Sequence, residues 1–305
     1  MDRFENRFCN ATGLLPRAAS ARWVLAAALC CLGGASLANE LSSSREYPPD
    51  LSVSLSPDGQ LLALSNDSGL WSMPVEGGVA RPLLPAGTVA RNPGFSPDGT
   101  FLVYQAEHSG QWDLWLLELA GGDSRQITST DYDEVEPVFW PDGHSVVFAS
   151  NRSGTYDVWE LHLSSGALRR LTGRSGDASF PSVSEHGDVV YANELDGRWS
   201  LYLLRTGVTT LLARRTYPLR APSWRPGGGV VVLNEQPTPT QSNLVMLMLD
   251  TQPLFKNLTR GELIAATPAS WLSAGELLYA AGSQLWRRPL GSGPRQPVRF
   301  VPLAP

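Results

Sequence analysis

A single lysine, Lys256, serves the whole 305-residue chain, and no run of basic residues occurs anywhere in it. Binding that depends on neutralising phosphates therefore has no footing, and nucleic acid is not an expected partner. Cysteine is almost as scarce. The three present (Cys9, Cys30 and Cys31) all fall within the first 31 positions. Histidine appears four times, as His108, His144, His162 and His186. No two of these have metal-ligand spacing, so a transition-metal centre is not expected. The longest uncharged stretch at the N-terminus, residues 23–38, has 16 residues. That is shorter than the ~20 needed to cross a bilayer as a helix.

The same stretch follows Arg3, Arg7, Arg17 and Arg22 and ends in Ser36-Leu37-Ala38. Basic residues, an apolar run and small residues at the −3 and −1 positions make an export signal, with residues 1–38 removed. The alternative is an uncleaved membrane anchor. Cleavage would remove every cysteine, leaving neither disulfide nor thiol nucleophile in the mature protein. It would also take four arginines against Asp2 and Glu5, so that 20 basic and 27 acidic residues remain and the net charge is −7.

What the chain does have is turns and aromatics: 29 glycines, 24 prolines and ten tryptophans. Such a profile fits many short strands with large rings packed between sheets. Residues 137–172 read as four strands separated by a Pro-Asp-Gly turn, an Asn-rich turn and a Gly turn. The first of these turns recurs at Pro57-Asp58-Gly59, Pro97-Asp98-Gly99 and Pro141-Asp142-Gly143. It decays to Glu185-His186-Gly187, Pro226-Gly227-Gly228 and Ser273-Ala274-Gly275. A third-strand column runs through Trp71, Trp115, Trp159, Tyr202, Val245 and Trp286, spaced by 41 to 44 residues. Six units of four strands predict an all-β fold, a six-bladed β-propeller over residues 39–305 with four antiparallel strands per blade. A blade buries its faces only against its neighbours. The column is thus expected to lie buried between blades, with sugar stacking as the alternative use of these rings.

The residues that carry the repeat also carry a resemblance. They are Phe95-Ser96-Pro97-Asp98-Gly99, Ser150-Asn151-Arg152-Ser153-Gly154, Asp113-Leu114-Trp115, Asp157-Val158-Trp159, Ile127-Thr128, Leu171-Thr172 and Leu258-Thr259. Over roughly residues 45–300 the chain resembles the TolB-type, WD40-like propeller repeat. The pattern is strongest in the first three blades. The resemblance implies a periplasmic interaction module; relatives with the same repeat include peptidase propellers and membrane-bound sensors. No Gly-x-Ser-x-Gly elbow of a hydrolase domain is present. Eleven residues separate the signal from blade 1, so the TolB α/β domain and a winged helix are not expected, and a bare propeller is.

Candidate binding residues come from two places. Propellers bind ligands where loops converge on one end of the channel. The residues before each inner-strand proline should open there: Arg91 and Asn92, Glu136, Phe180, Arg220 and Thr267. The loop Asp131-Tyr132-Asp133-Glu134-Val135-Glu136 is the one acidic cluster, either a Ca²⁺ site or a solvated loop. No polar catalytic cluster emerges and no cofactor is implied. The expectation is a non-catalytic, exported module that docks a protein or peptide of the cell envelope at the channel mouth. A membrane-tethered sensor is the second reading, and a propeller hydrolase or lyase the third. Contact with a membrane would come only through the N-terminal segment, if uncleaved. The ring is expected to close by packing of blade 1 on blade 6 without an exchanged strand, because Pro48 and Pro49 oppose a strand before blade 1.

Overall fold

The computed structural model describes residues 51–66, 69–249, 253–282, 284–291 and 293–302. The expected export signal and the segment ahead of blade 1 lie outside them. Among the described residues there is no helix. Six sheets of antiparallel strands follow one another, each ordered in sequence from the inside out, here A to D. The inner A strands are Ser52–Leu55, Ala90–Phe95, Glu134–Phe139, Asp177–Val183, Leu219–Trp224 and Ser270–Ser273. The six-bladed propeller read from the repeat is the observed fold.

The turns explain the regularity. At the A–B turns of blades 1 and 2, Asp58 and Asp98 each accept the hydroxyl of Ser56 and Ser96 at 2.6 Å and the backbone N–H of Gln60 and Thr100. These bonds to the ionised form hold both carboxyls below the usual aspartate range, serine first.

The core is divided into clusters that each bridge one seam. Leu62, Leu64 and Met73 of blade 1 meet Leu278 and Leu285 of blade 6. Leu70 of blade 1 meets Leu102 and Tyr104 of blade 2. Val103 and Leu116 of blade 2 meet Phe148 of blade 3, and Val147 and Val158 of blade 3 meet Tyr191 of blade 4. Leu201 of blade 4 packs on Val231 and Leu247 of blade 5, and Val232 of blade 5 on Trp271 of blade 6. Sheets with two apolar faces that each need a neighbour close into a ring.

The aromatic column sits at these seams, each ring turned to the preceding blade, but its burial is less complete than its sequence suggests. Tyr202 is 8% exposed and Val245 fully buried. Trp71, Trp115, Trp159 and Trp286 are half-buried against their clusters. The reason is their place one strand from the rim, where the outer strands are too short to cover an indole. Guanidinium groups cover part of the flank instead. Arg152 lies 5.3 Å and Arg170 6.0 Å from the Trp159 ring centre, and Arg295 lies 3.8 Å from that of Trp286.

Ring closure also departs from expectation. The outer strand of blade 6 is confined to Gln296–Val298. Phe300–Pro302 then crosses the seam and pairs in parallel with Gly78–Pro82, as a fifth strand outside blade 1. A strand is therefore exchanged, from the C-terminal side. The crossing requires Gly77, whose φ is +94° and where a Cβ would stand 2.5 Å from the carbonyl oxygen of Arg299. Gly78 N–H donates to that same oxygen at 3.0 Å.

Candidate functional site

The antiparallel order puts the D–A loops and B–C turns on one face, called the front, and the A–B and C–D turns on the back. Just inside the front face, four inner strands are deformed in the same way. Asn92, Glu136, Phe180 and Ala221 have φ of 51°, 58°, 54° and 50°. Each is followed by proline, and each marks a one-residue bulge in pairing with the B strand. Proline has no N–H to give the ladder, so it is accommodated where pairing is interrupted. A left-handed backbone costs Glu, Phe or Ala of the order of 1–3 kcal/mol. Its repetition at one level around the channel makes that level the strained part of the wall.

Residues from all six blades enclose a cavity of about 170 Å³ at this level. Ser54, Pro93, Pro137, Pro181, Ser223 and Ser270 supply one wall element each. Glu136 is the one ionisable lining residue. Side-chain hydrogen bonds tie the wall together at every seam. Asn92 N–H donates to Ser52 Oγ at 3.2 Å, and Glu136 N–H to Gln105 Oε1 at 2.7 Å. Phe180 N–H donates to Glu136 Oε2 at 2.5 Å, and Trp224 Nε1 to the Ser182 carbonyl at 3.2 Å. Asn234 Nδ2 donates to the Ala265 carbonyl at 2.6 Å, and Thr267 Oγ1 to that of Leu51 at 3.1 Å. Blade 6 is fastened to blade 1 by the same kind of bond as the other seams.

A family model for the TolB β-propeller domain matches residues 37–271. The chain belongs to the TolB β-propeller family. TolB from Acinetobacter baumannii is 20% identical with a TM-score of 0.63, over 74% of this chain and 58% of that one. This chain thus spans little more than half the length of that TolB. A structure described as TolB from Agrobacterium tumefaciens is 20% identical with a TM-score of 0.64, over 73% of this chain and 86% of the other. An oligogalacturonate lyase in complex with manganese shares the fold at 13% identity and a TM-score of 0.54, over 82% of this chain and 72% of that one. No curated protein matches the chain.

In this TolB-type propeller, Asn92, Glu136 and Phe180 line the channel cavity, and the other residues singled out from sequence do not. Arg91 and Arg220 stand beside it. Arg91 lies over the Trp112 ring at 5.2 Å, and Arg220 over Trp199 at 5.1 Å. Phe180 is buried, packed with Ala192 and Ala221. In blade 5 the position equivalent to Asn92, Glu136 and Phe180 is Ala221, since it directly precedes Pro222. Gln105, which fixes both the Glu136 backbone and Asn92 Nδ2 (2.9 Å), carries no sequence signal beyond its place in a strand.

The acidic loop divides rather than converges. Asp131 and Tyr132 are exposed. Asp133 accepts Trp112 N–H and Tyr156 O–H, both at 3.2 Å, and so ties blade 2 to blade 3. Asp177 does the same one blade on, accepting Tyr156 N–H at 2.9 Å. Glu134 is fully buried, held by Arg152 at 2.6 Å and Thr130 at 2.7 Å. Burial raises its pKa in spite of that arginine. Among the described residues no three His, Cys, Asp or Glu side chains are grouped to hold a metal ion.

Proposed function

We propose that this chain is an exported, non-catalytic binding module of the cell envelope that docks a segment of a partner protein at the front mouth of its channel. The observation that carries this reading is the composition of the cavity. Its wall is built by all six blades, is lined mainly by proline and serine, and measures about 170 Å³. That volume suits the tip of a protein loop or a chain end. General acid–base or nucleophilic catalysis needs at least two cooperating polar groups or a metal. Here the single carboxylate already accepts a backbone N–H from Phe180. The family relationship agrees with an envelope protein; the lyase likeness extends to the fold.

Site-specific crosslinking in the native host tests it. A photo-crosslinking residue at Ser54 or Ser223, both in the cavity wall, is expected to trap one discrete envelope protein. The same residue at Leu254, exposed on the outer strand of blade 5, is expected not to trap that protein. Equal capture at both places, or none from the wall, overturns the reading. N-terminal sequencing of the mature protein separates a free exported module, beginning at Asn39, from one tethered by residues 23–38.

A further inference from the structure

The arginines of blades 3 and 4 fall into two groups. Arg152, Arg169, Arg170, Arg205 and Arg215 are each paired with a carboxylate. Arg174, Arg198 and Arg214 form no ion pair with any described residue, yet all three line one cleft of about 650 Å³. Asp196 is the only carboxylate in that lining. In a protein of net charge −5, three arginines in one cleft without a paired carboxylate among the described residues run against the overall charge.

Strand register explains why they meet. Asn193, Ser200 and Arg214 lie directly opposite one another across the B, C and D strands of blade 4, with Arg198 paired to Leu195 at the strand end. They share the sheet face that Tyr202 turns to blade 3. Arg174 reaches this face from the D–A loop and lies 4.9 Å over the Tyr202 ring, which itself stacks on Tyr191 at 5.6 Å. The floor is polar as well. Asn193 is 4% exposed, and its Nδ2 donates to the Ser175 carbonyl at 3.2 Å. Its Oδ1 is buried with no donor, a position that wants an N–H from outside.

The neighbouring outer strand adds the last element. Val208–Arg215 of blade 4 has eight residues, against three to five in the outer strands of the other blades. Its outer edge pairs with no described strand, and Val208 and Leu211 are 64% and 45% exposed. At blade 1 the corresponding edge is occupied, by Phe300–Pro302. Outer edges of this fold therefore accept an added strand.

We infer that this cleft binds an acidic, extended peptide segment of a partner protein. Its carboxylates meet Arg174, Arg198 and Arg214, since guanidinium groups recognise carboxylates in two-point geometry. An N–H of the same segment reaches Asn193 Oδ1, and the peptide continues along the free edge of Val208–Arg215. The site lies apart from the channel mouth and does not rest on the reading given for it.

Fluorescence anisotropy with the full chain and a labelled ten-residue oligoglutamate tests this. The peptide is expected to bind, and a ten-residue oligoglutamine is expected not to. R174A/R214A should weaken oligoglutamate binding about tenfold or more, as charge-assisted pairs are removed. Arg125→Ala, on the outer strand of blade 2, should leave it unchanged. Methylating alternate backbone nitrogens of the peptide should also weaken it. The inference is overturned if oligoglutamate does not bind, if R125A weakens it as much as R174A/R214A, if backbone methylation has no effect, or if heparin competes at lower charge concentration than oligoglutamate, which would make the site one for acidic polysaccharide.

Discussion

Blades 2 and 3 carry the same motif, Asp113-Leu114-Trp115 and Asp157-Val158-Trp159, with the same threonine closing the outer strand. Thr128 Oγ1 accepts Leu114 N–H at 2.8 Å, and Thr172 Oγ1 accepts Val158 N–H at 2.9 Å. Beyond that the two blades diverge. Asp157 is fully buried and takes bonds from Ser153 (2.5 Å), Thr172 (2.7 Å) and Arg170 (2.5 Å). Asp113, 5% exposed, has Gln126 where blade 3 has Arg170, and its Oδ1 has no donor. The indoles follow suit: Trp159 is flanked by two guanidinium groups, Arg152 and Arg170. One motif thus makes a satisfied polar knot in one blade and an under-satisfied one in the next, and the difference lies in residues the motif does not contain.

The largest effect expected from this contrast is at the tryptophans. Trp159→Ala should destabilise by ~3–4 kcal/mol, from the cavity at the seam and the loss of two cation–π contacts. Trp115→Ala should cost about 1 kcal/mol less. Denaturant midpoints at constant m-value measure both, and equal losses would erase the distinction drawn between the two rings. Next comes Asp157→Ala, expected to cost ~2–3 kcal/mol because Thr172 and Ser153 lose a buried acceptor and Arg170 its partner. A loss below ~1 kcal/mol would mean that the blade 3 knot contributes orientation but little stability.

Blade number and boundaries were legible in the sequence because the A–B turn keeps its glycine, the residue that takes a positive φ without strain; Gly59, Gly99, Gly143 and Gly187 all take φ between 72° and 81°. The channel wall was legible too, through the prolines, since a proline in an inner strand forces an interruption. Asn92, Glu136 and Phe180 follow from that rule, and in blade 5 it points to Ala221, directly before Pro222, and not to Arg220. Burial of Phe180 was not legible, because it depends on Ala192 and Ala221, small residues from two blades that give it room. Nor was the crossing strand. Three residues ending in proline show no strand periodicity, and the pairing depends on the closeness of Gly77 to Arg299. The arginine cleft was invisible for a third reason: Arg174, Arg198 and Arg214 are far apart in sequence and meet only through strand register.

The smallest effect expected is also the one that separates Asp113 from Asp157 most directly. Burial raises the Asp113 pKa above the usual aspartate value, with hydrogen bonding to Glu134 the largest opposing influence. Burial raises Glu134 likewise, and its Oε2 also lacks a donor. Each of these buried carboxyls, short of donors, favours its protonated form. The folded state therefore holds more protons than the unfolded chain between the ordinary carboxylate values, 3.8 and 4.5, and the raised ones. Stability from this pair is fully present below the ordinary values and falls as pH rises through the window. Asp58 and Asp98, with lowered pKa values, act in the opposite sense, losing stability as pH falls below 3.8. Asp113→Asn places a permanent donor where the proton sits. It should leave stability at pH 7 within about 1 kcal/mol of the parent or above it, and should flatten the fall that sets in as pH rises above the ordinary carboxylate values, 3.8 and 4.5. Thermal unfolding of both proteins across that range measures it. An unchanged slope, or a loss at pH 7 as large as that of Asp157→Ala, would put Asp113 on the same footing as its counterpart in blade 3.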